Sequence, residues 1–259
     1  MTAAFTLWHK HMTKLRAHPE EAFGMLLQPI LWVVLFGAGM TSMMTPGMNS
    51  GSISYIGFMV PGIVALSALS GGIGGGTVWL DERLRGIVKE YLVAPIPRLS
   101  ILMGNALSTV TKSLMQAGVI FLVGLLMGAK LDLNPLGWIG GIVLVGAYGL
   151  GFTGIALAVA SKAGSPGAYH MLIFMLNLPL LFLSNALYPL KTLPTAMEIG
   201  ARLNPTSYVA DGLRQMMLED ATTLSGGAAL PLWSCFLVVG IFAVLGMWLA
   251  LRVFQSTVQ

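Results

Sequence analysis

Charged and titratable side chains are scarce in this chain, so where they stand decides what chemistry it can do. Fourteen Lys and Arg and ten Asp and Glu are spread over 259 residues. Seven of those charges fall within residues 81–98, DERLRGIVKEYLVAPIPR, directly after 59 residues, 22–80, that hold no Asp, Glu, Lys, Arg or His. The island's side chains, Asp81, Glu82, Arg83, Arg85, Lys89, Glu90 and Tyr91, suit electrostatic docking of a soluble partner better than bond-making. Catalytic groups are poorly supplied. The four histidines, His9, His11, His18 and His170, show no ligand spacing with carboxylates. The lone Cys235 lies in an apolar run, which leaves neither an internal disulfide nor a CxxC site and reads as packing. No phosphate-cradling GxxxxGKS/T loop is present, and the glycine cluster GGIGGG at 71–76 lacks the lysine such a loop needs. No Lys/Arg run points to nucleic acid. An integral-membrane enzyme acting on lipids is therefore the weakest of the functional classes.

The elements that must hold the island are apolar. Charged residues make up 9% of the chain and hydrophobic residues 56%, against about 25% charged in a soluble domain. The membrane class follows. A hydrocarbon core takes about 20 apolar residues per helix, which gives spans near 23–44, 53–79, 105–128, 135–160, 168–190 and 230–251. The Pro, Gly, Asn and Ser of TPGMNSGS (45–52) divide the first two. The expected fold is all-α: one integral membrane domain over 1–259 with six transmembrane helices. Ten cations (Lys10, Lys14, Arg16, Arg83, Arg85, Lys89, Arg98, Lys112, Lys162 and Arg252) share one side, and four (Lys130, Lys191, Arg202 and Arg214) share the other. The positive-inside rule puts both termini and the island in the cytoplasm. The first residues lack the apolar core of a cleavable signal.

The three longest segments outside the spans carry their own patterns. In 1–20, Phe5, Trp8, Met12 and Leu15 fall on one helical face, predicting an interfacial amphipathic helix that acts as an anchor or as a collar for lipid-like substrate. In 80–98, Leu80, Leu84, Ile87, Val88 and Tyr91 trace a second apolar stripe, with Asp81, Glu82, Arg85 and Lys89 on the remaining arc. Asp81 and Arg85 can pair at i, i+4, and Pro95 and Pro97 stop the helix. This helix either only connects two spans or docks a partner and transmits its motion. In 191–220, PTAMEIGARL and PTSYVADGLRQMML read as two short helices, capped at Asn204 or Thr206, forming an ordinary outer loop or re-entrant helices. Asp211 and Arg214 there can pair locally, with little effect if exposed.

Polar residues within the spans are few. Gln28, Asn177 and Asn185 should face other helices or a pathway, because unpaired amides are costly in hydrocarbon. Lys112 should snorkel to the headgroups. Every acidic residue falls at a span end or in a loop, which argues against proton or sodium coupling. The GxxxG spacings Gly71/Gly75 and Gly72/Gly76 suit close helix packing better than a hinge.

The segment GTVWLDERLRGIVKEYLVAPIPRLSILMGNAL (76–107) resembles the loop after the second span of type-2 ABC exporter permeases, where a Glu-Arg pair, a Gly and a Pro mark the segment that meets the ATPase. Those positions here are Glu82, Arg83, Gly86 and Pro95. FLSNALYPLKTLPTAMEIGARLNPTSYVADGLR (182–214) is similar to the family's region after the fifth span. The nearest resemblance is to drug-resistance and nodulation-type lipo-oligosaccharide exporters. It implies a permease in the bacterial cytoplasmic membrane, surrounded by lipid. A second permease copy and two ATPase subunits would complete it, with ATP and Mg on those subunits and no cofactor on this chain. The substrate would be an amphiphile: a lipid, lipo-oligosaccharide, glycan or drug. Candidate pathway or gate residues are Gln28, Asn177, Asn185, Tyr188, Asn204 and Tyr208, with the outer helices gating the exit. The alternative is a stand-alone secondary transporter or channel.

Overall fold

A computed structural model describes residues 2–43, 55–94, 96–132, 134–187, 190, 194–218 and 230–257. Pro95 and Tyr188 lie outside the described residues.

The described residues form ten helices. Helix α1 (Thr2–Ala17) is followed at once by α2 (Pro19–Met43), which starts on a proline with Glu20 and Glu21 in its first turn. Proline at the first helical position loses no needed donor, and the carboxylates favour the positive end of the helix dipole. Helix α3 (Tyr55–Leu84) has 30 residues, about 45 Å at 1.5 Å per residue. That exceeds the roughly 30 Å hydrocarbon core, so its last turns reach into the island. Helix α4 (Ile87–Val93) is short, and α5 (Arg98–Leu126) starts after Pro97. Helices α6 (Pro135–Lys162) and α7 (Pro166–Phe182) each carry a side-chain N-cap, Asn134 and Ser165, ahead of a first-turn proline. Helices α8 (Thr195–Leu203) and α9 (Pro205–Met217) precede the last, α10 (Leu232–Thr257).

Helix α3 is the axis of the bundle and packs against α2, α5, α6 and α9. Its glycines allow this. A Cβ on Gly72 would lie 2.6 Å from Phe152 Cβ, and one on Gly76 would meet the Ala156 carbonyl at 2.7 Å. The expected close packing is thus α3 against α6. The tightest partner of α6 is α10, where Gly151 and Gly154 face Phe242 and Gly246 with no room for a side chain. Apolar side chains on α2, α7 and α10 point outward, among them Phe23, Leu35, Met171, Phe174, Val244 and Trp248.

Among the described residues five helices, α2, α3, α5, α6 and α10, are long and apolar enough to cross a membrane. The expected fifth span, 168–190, differs: α7 stops at Phe182 after 17 residues, about 25 Å, and 183–187 turn without forming helix. Pro179, one turn before the end, removes a helical donor there.

The fold also departs from expectation at both flanking segments. Helix α9 is packed against α3, α6 and α10. Asp211 and Arg214, expected as a local pair, are 2% and 0% exposed, so the pair is not the weak surface one. The Arg214 guanidinium donates to Asp211 Oδ1 at 2.9 Å, to the Phe58 carbonyl at 3.0 Å, and to the Asn185 and Ala186 carbonyls at 2.8 and 3.1 Å. It also stacks 3.7 Å from the Phe58 ring. Asp211 further accepts from Asn185 Nδ2 at 2.6 Å and from Leu230 N at 3.2 Å. A buried charge this fully satisfied is a brace between α3, α9 and the 183–187 turn. In α1, Phe5 is exposed, while Leu7, Trp8, His11 and Leu15 turn inward; Leu7 seats on Gly104 of α5, and Trp8 Nε1 donates to Thr111 Oγ1 at 3.0 Å.

Candidate functional site: the island joint and an adjoining cavity

The island is not one helix. The α3 helix carries Asp81, Glu82 and Arg83 in its last turn, then ends. Gly86 adopts φ 81, a left-handed conformation that glycine takes without a Cβ penalty and that ends helices. The chain restarts as α4 and stops at Ala94, which is extended, as is Pro97. The apolar stripe runs across this break, so Leu84 is half exposed, whereas Leu80 and Val88 are buried.

The Glu-Arg pair ties this turn inward. Glu82 is buried, not on the solvated arc. Its Oε1 accepts from Lys10 Nζ of α1 at 2.7 Å and from the Tyr91 hydroxyl of α4 at 3.2 Å. Lys10 also donates to the Tyr91 oxygen and lies 5.2 Å from its ring centroid. Burial alone would lower the Lys10 ammonium, but its bonds to Glu82 and Tyr91 outweigh that and hold it above the usual lysine range. Burial pushes the Tyr91 phenol up, so it stays a neutral donor. Arg83 donates both terminal nitrogens to the Ser161 and Ala163 carbonyls, the C-terminal end of α6. A cation there satisfies orphan carbonyls and complements the helix dipole. One turn earlier, Trp79 Nε1 donates to Ser161 Oγ at 3.1 Å and its ring packs edge-on against Phe254 of α10. Thus α1, α3, α4, α6 and α10 meet in one joint.

What remains facing solvent is mixed in sign. Asp81 and Arg85 form the expected pair at 2.8 Å. Lys89, Glu90, Val93, Arg98 and Leu99 are exposed beside them. Such a surface can bind a protein; among the described residues no cluster of three His, Cys, Asp or Glu could hold a metal.

Next to the joint, α1, α2, α3, α5 and α7 line a half-open cavity of about 440 Å³, a size typical of small-molecule sites. Of the candidate pathway residues, Gln28 and Asn177 line it. Asn185, Asn204 and Tyr208 do not, and each makes bonds within the 180–211 region. Asn204 caps α9 through Thr206 N and donates to the Leu180 and Leu183 carbonyls; Tyr208 donates to the Arg202 carbonyl at 2.8 Å. Sequence reasoning missed the cavity's main polar wall: Asn105, Ser108, Thr109, Lys112 and Gln116 of α5. They recur at i, i+3, i+4, i+7 and i+11, a polar stripe on an apolar helix, which was the readable signal. Lys112 lines this cavity, where snorkelling to headgroups was expected. His11 lines it from α1, and burial pulls its imidazole down, keeping it neutral.

Comparison with known proteins agrees with this architecture. Residues 2–218 match the family model described as ABC-2 type transporter. The chain is 27% identical over 260 residues to the ycf38 transport permease of Cyanophora paradoxa, covering 97% of this chain and 89% of that one. It is 23% identical over 217 residues to the daunorubicin resistance ABC transporter permease protein DrrB1 of Streptomyces coeruleorubidus (84% and 75% covered). It is 28% identical over 208 residues to nodulation protein J of Rhizobium leguminosarum bv. trifolii (78% and 76%). With a bundle of long apolar helices and a family match over most of its length, the chain belongs to the ABC-2 type transporter family of permeases.

Proposed function

We propose that this chain is the membrane-spanning subunit of an ATP-driven exporter of amphiphiles, and that separate ATPase subunits dock on the solvent-facing side of α4. The joint of Lys10, Glu82, Tyr91 and Arg83 is the observation that supports this reading most. A push on α4 passes through Tyr91 to Glu82 on α3 and Lys10 on α1, and through Arg83 to α6. Ion pairs and helix-end bonds, unlike a loose loop, carry displacement without slack. The Glu-Arg pair therefore transmits, while Arg85, Lys89, Glu90 and Val93 meet the partner.

In this reading the joint faces the cytoplasm of a bacterial inner membrane, with both termini on that side. Helix α7 with the turn after it makes the sixth crossing, and α8 and α9 re-enter from the outer face, braced by Arg214. A second copy of the permease packs alongside to complete the pathway, and two ATPases supply ATP and Mg. Kinship to a daunorubicin resistance permease and a nodulation protein favours amphiphilic cargo. The buried carboxylate Asp211 is saturated by Arg214, Asn185 and Leu230 and does not line the cavity, so it offers no free proton-coupling group.

The test is co-purification with the ATPase encoded beside the permease. Reversing both exposed cations, Arg85→Glu with Lys89→Glu, should cut co-purification and ATP-dependent export while membrane insertion persists. Undiminished association and export would sink the docking assignment.

A further inference from the structure

We propose that the cavity beside α5 is a headgroup site for an anionic amphiphile whose headgroup also carries hydroxyl donors, a phosphoglycerol lipid being the simplest such molecule; this rests on the permease reading and narrows its substrate class.

Two amides carry the argument. Asn105 and Gln116 line the cavity and are 3% and 4% exposed. Their orientation is fixed by what their nitrogens do. Asn105 Nδ2 donates to the Gly75 carbonyl at 3.3 Å, and Gln116 Nε2 donates to the Met25 carbonyl at 2.8 Å. Flipping either amide would set oxygen against oxygen. Asn105 Oδ1 and Gln116 Oε1 are therefore held as acceptors, and both are buried without a partner among the described residues. An unmet buried acceptor is costly, and a ligand O–H or N–H that a small side-chain shift lets reach it would recover that cost.

Charge sets the other half of the ligand. Three titratable groups line the cavity: His11, Glu21 and Lys112. Glu21 is exposed at the rim and paired with Lys14 at 3.4 Å. His11 is neutral. Lys112 is half buried and forms no salt bridge or hydrogen bond among the described residues. Lys112 stands one turn before Gln116 on α5, so its ammonium and that fixed acceptor match a phosphate carrying a hydroxyl-bearing headgroup, while Asn105 lies about two turns away along the same helix. The wall also holds Gln28, Ser67, Ser70, Thr77 and Asn177, and its apolar part, with Trp32, Ile63, Leu66, Leu69 and Leu181, suits acyl chain. A soluble phosphate would leave that wall unused.

Two glycines on the cavity wall have room for a side chain to start. Gly74 of α3 and Gly24 of α2 line it, and a Cβ on either meets nothing within 4 Å. Gly118 has equal room but does not line it. The experiment measures binding of fluorescent short-chain phosphatidylglycerol to the purified permease in neutral micelles, with phosphatidylcholine and glycerol 3-phosphate as competitors and no ATPase present. Phosphatidylglycerol should bind, and neither competitor should displace it. Gly74→Leu and Gly24→Leu should each abolish binding, Lys112→Gln should weaken it about tenfold or more, and Gly118→Leu should leave it unchanged. Binding that survives both fillings, equal competition by phosphatidylcholine, or displacement by glycerol 3-phosphate overturns the proposal. Because no ATPase takes part, these outcomes are independent of the docking test.

Discussion

Breaking the contact between Lys10 and Glu82 should loosen the α1–α3 joint by an amount that a double-mutant cycle can isolate. The bond is 2.7 Å long, with the Glu82 side chain 10% exposed and Lys10 45% exposed. Exposed pairs couple by about 0.2–1 kcal/mol, and losing one partner of a fully buried pair costs about 3–5 kcal/mol. A buried acid facing a half-solvated ammonium falls between, at about 1–2 kcal/mol of coupling. Lys10→Met keeps the aliphatic stem but leaves Glu82 with Tyr91 alone, and should cost more than Glu82→Gln, whose amide can still accept from Tyr91. Reversible unfolding in mixed micelles, followed for the wild type, both single variants and the double, gives the cycle. The pair's contribution also has a pH signature. The folded Lys10 value lies above the ordinary 10.5, so its stabilisation is present below that value and is lost as pH rises through the raised one. Additivity of the two single effects to within about 0.3–0.5 kcal/mol, or an alkaline limb unchanged in Lys10→Met, would refute the joint as drawn.

Other outcomes follow from the same geometry. Arg214→Met should strand Asp211 without its cation and cost about 3–5 kcal/mol, seen as a collapse in the yield of monodisperse protein. Gly72→Ala, whose Cβ would meet Phe152 Cβ at 2.6 Å, should lower thermal stability by about 1–3 kcal/mol, whereas Gly240→Ala, with open space around it, should be neutral or stabilising by about 0.5–1 kcal/mol. His11 has a folded value below 6.5; the unfolded chain then binds the extra proton first, so stability should fall as pH drops below 6.5, and His11→Asn should flatten that limb in a pH-resolved unfolding series.

Much of this was legible in residue order. The long apolar runs announced the five long helices α2, α3, α5, α6 and α10, because hydrocarbon length leaves few alternatives. The Asp81–Arg85 pair and the stop before Pro97 are local and were readable. The break at Gly86 was not, since the apolar spacing from Leu80 to Tyr91 continues as if the helix did; only the glycine hinted at it. Glu82 looked solvated because its cation, Lys10, lies 72 residues away. Arg214 looked like one half of a local i, i−3 pair on a short helix, whereas its burial comes from Phe58 and the 183–187 turn closing over it. The α5 stripe went unread for a related reason: Asn105 and Gln116 donate to backbone carbonyls of α3 and α2, and no side-chain pattern announces a carbonyl.

The surface proposed to meet the ATPase is the solvent-facing side of α4. A single cysteine at Val93, which is 88% exposed, tests it directly, because the native Cys235 is buried and leaves the new thiol as the reactive one. With a short bifunctional crosslinker in membranes containing both subunits, Val93→Cys should join permease to ATPase, and Leu203→Cys, 78% exposed on α8, should not. No adduct from position 93, or equal adducts from both positions, would contradict the account.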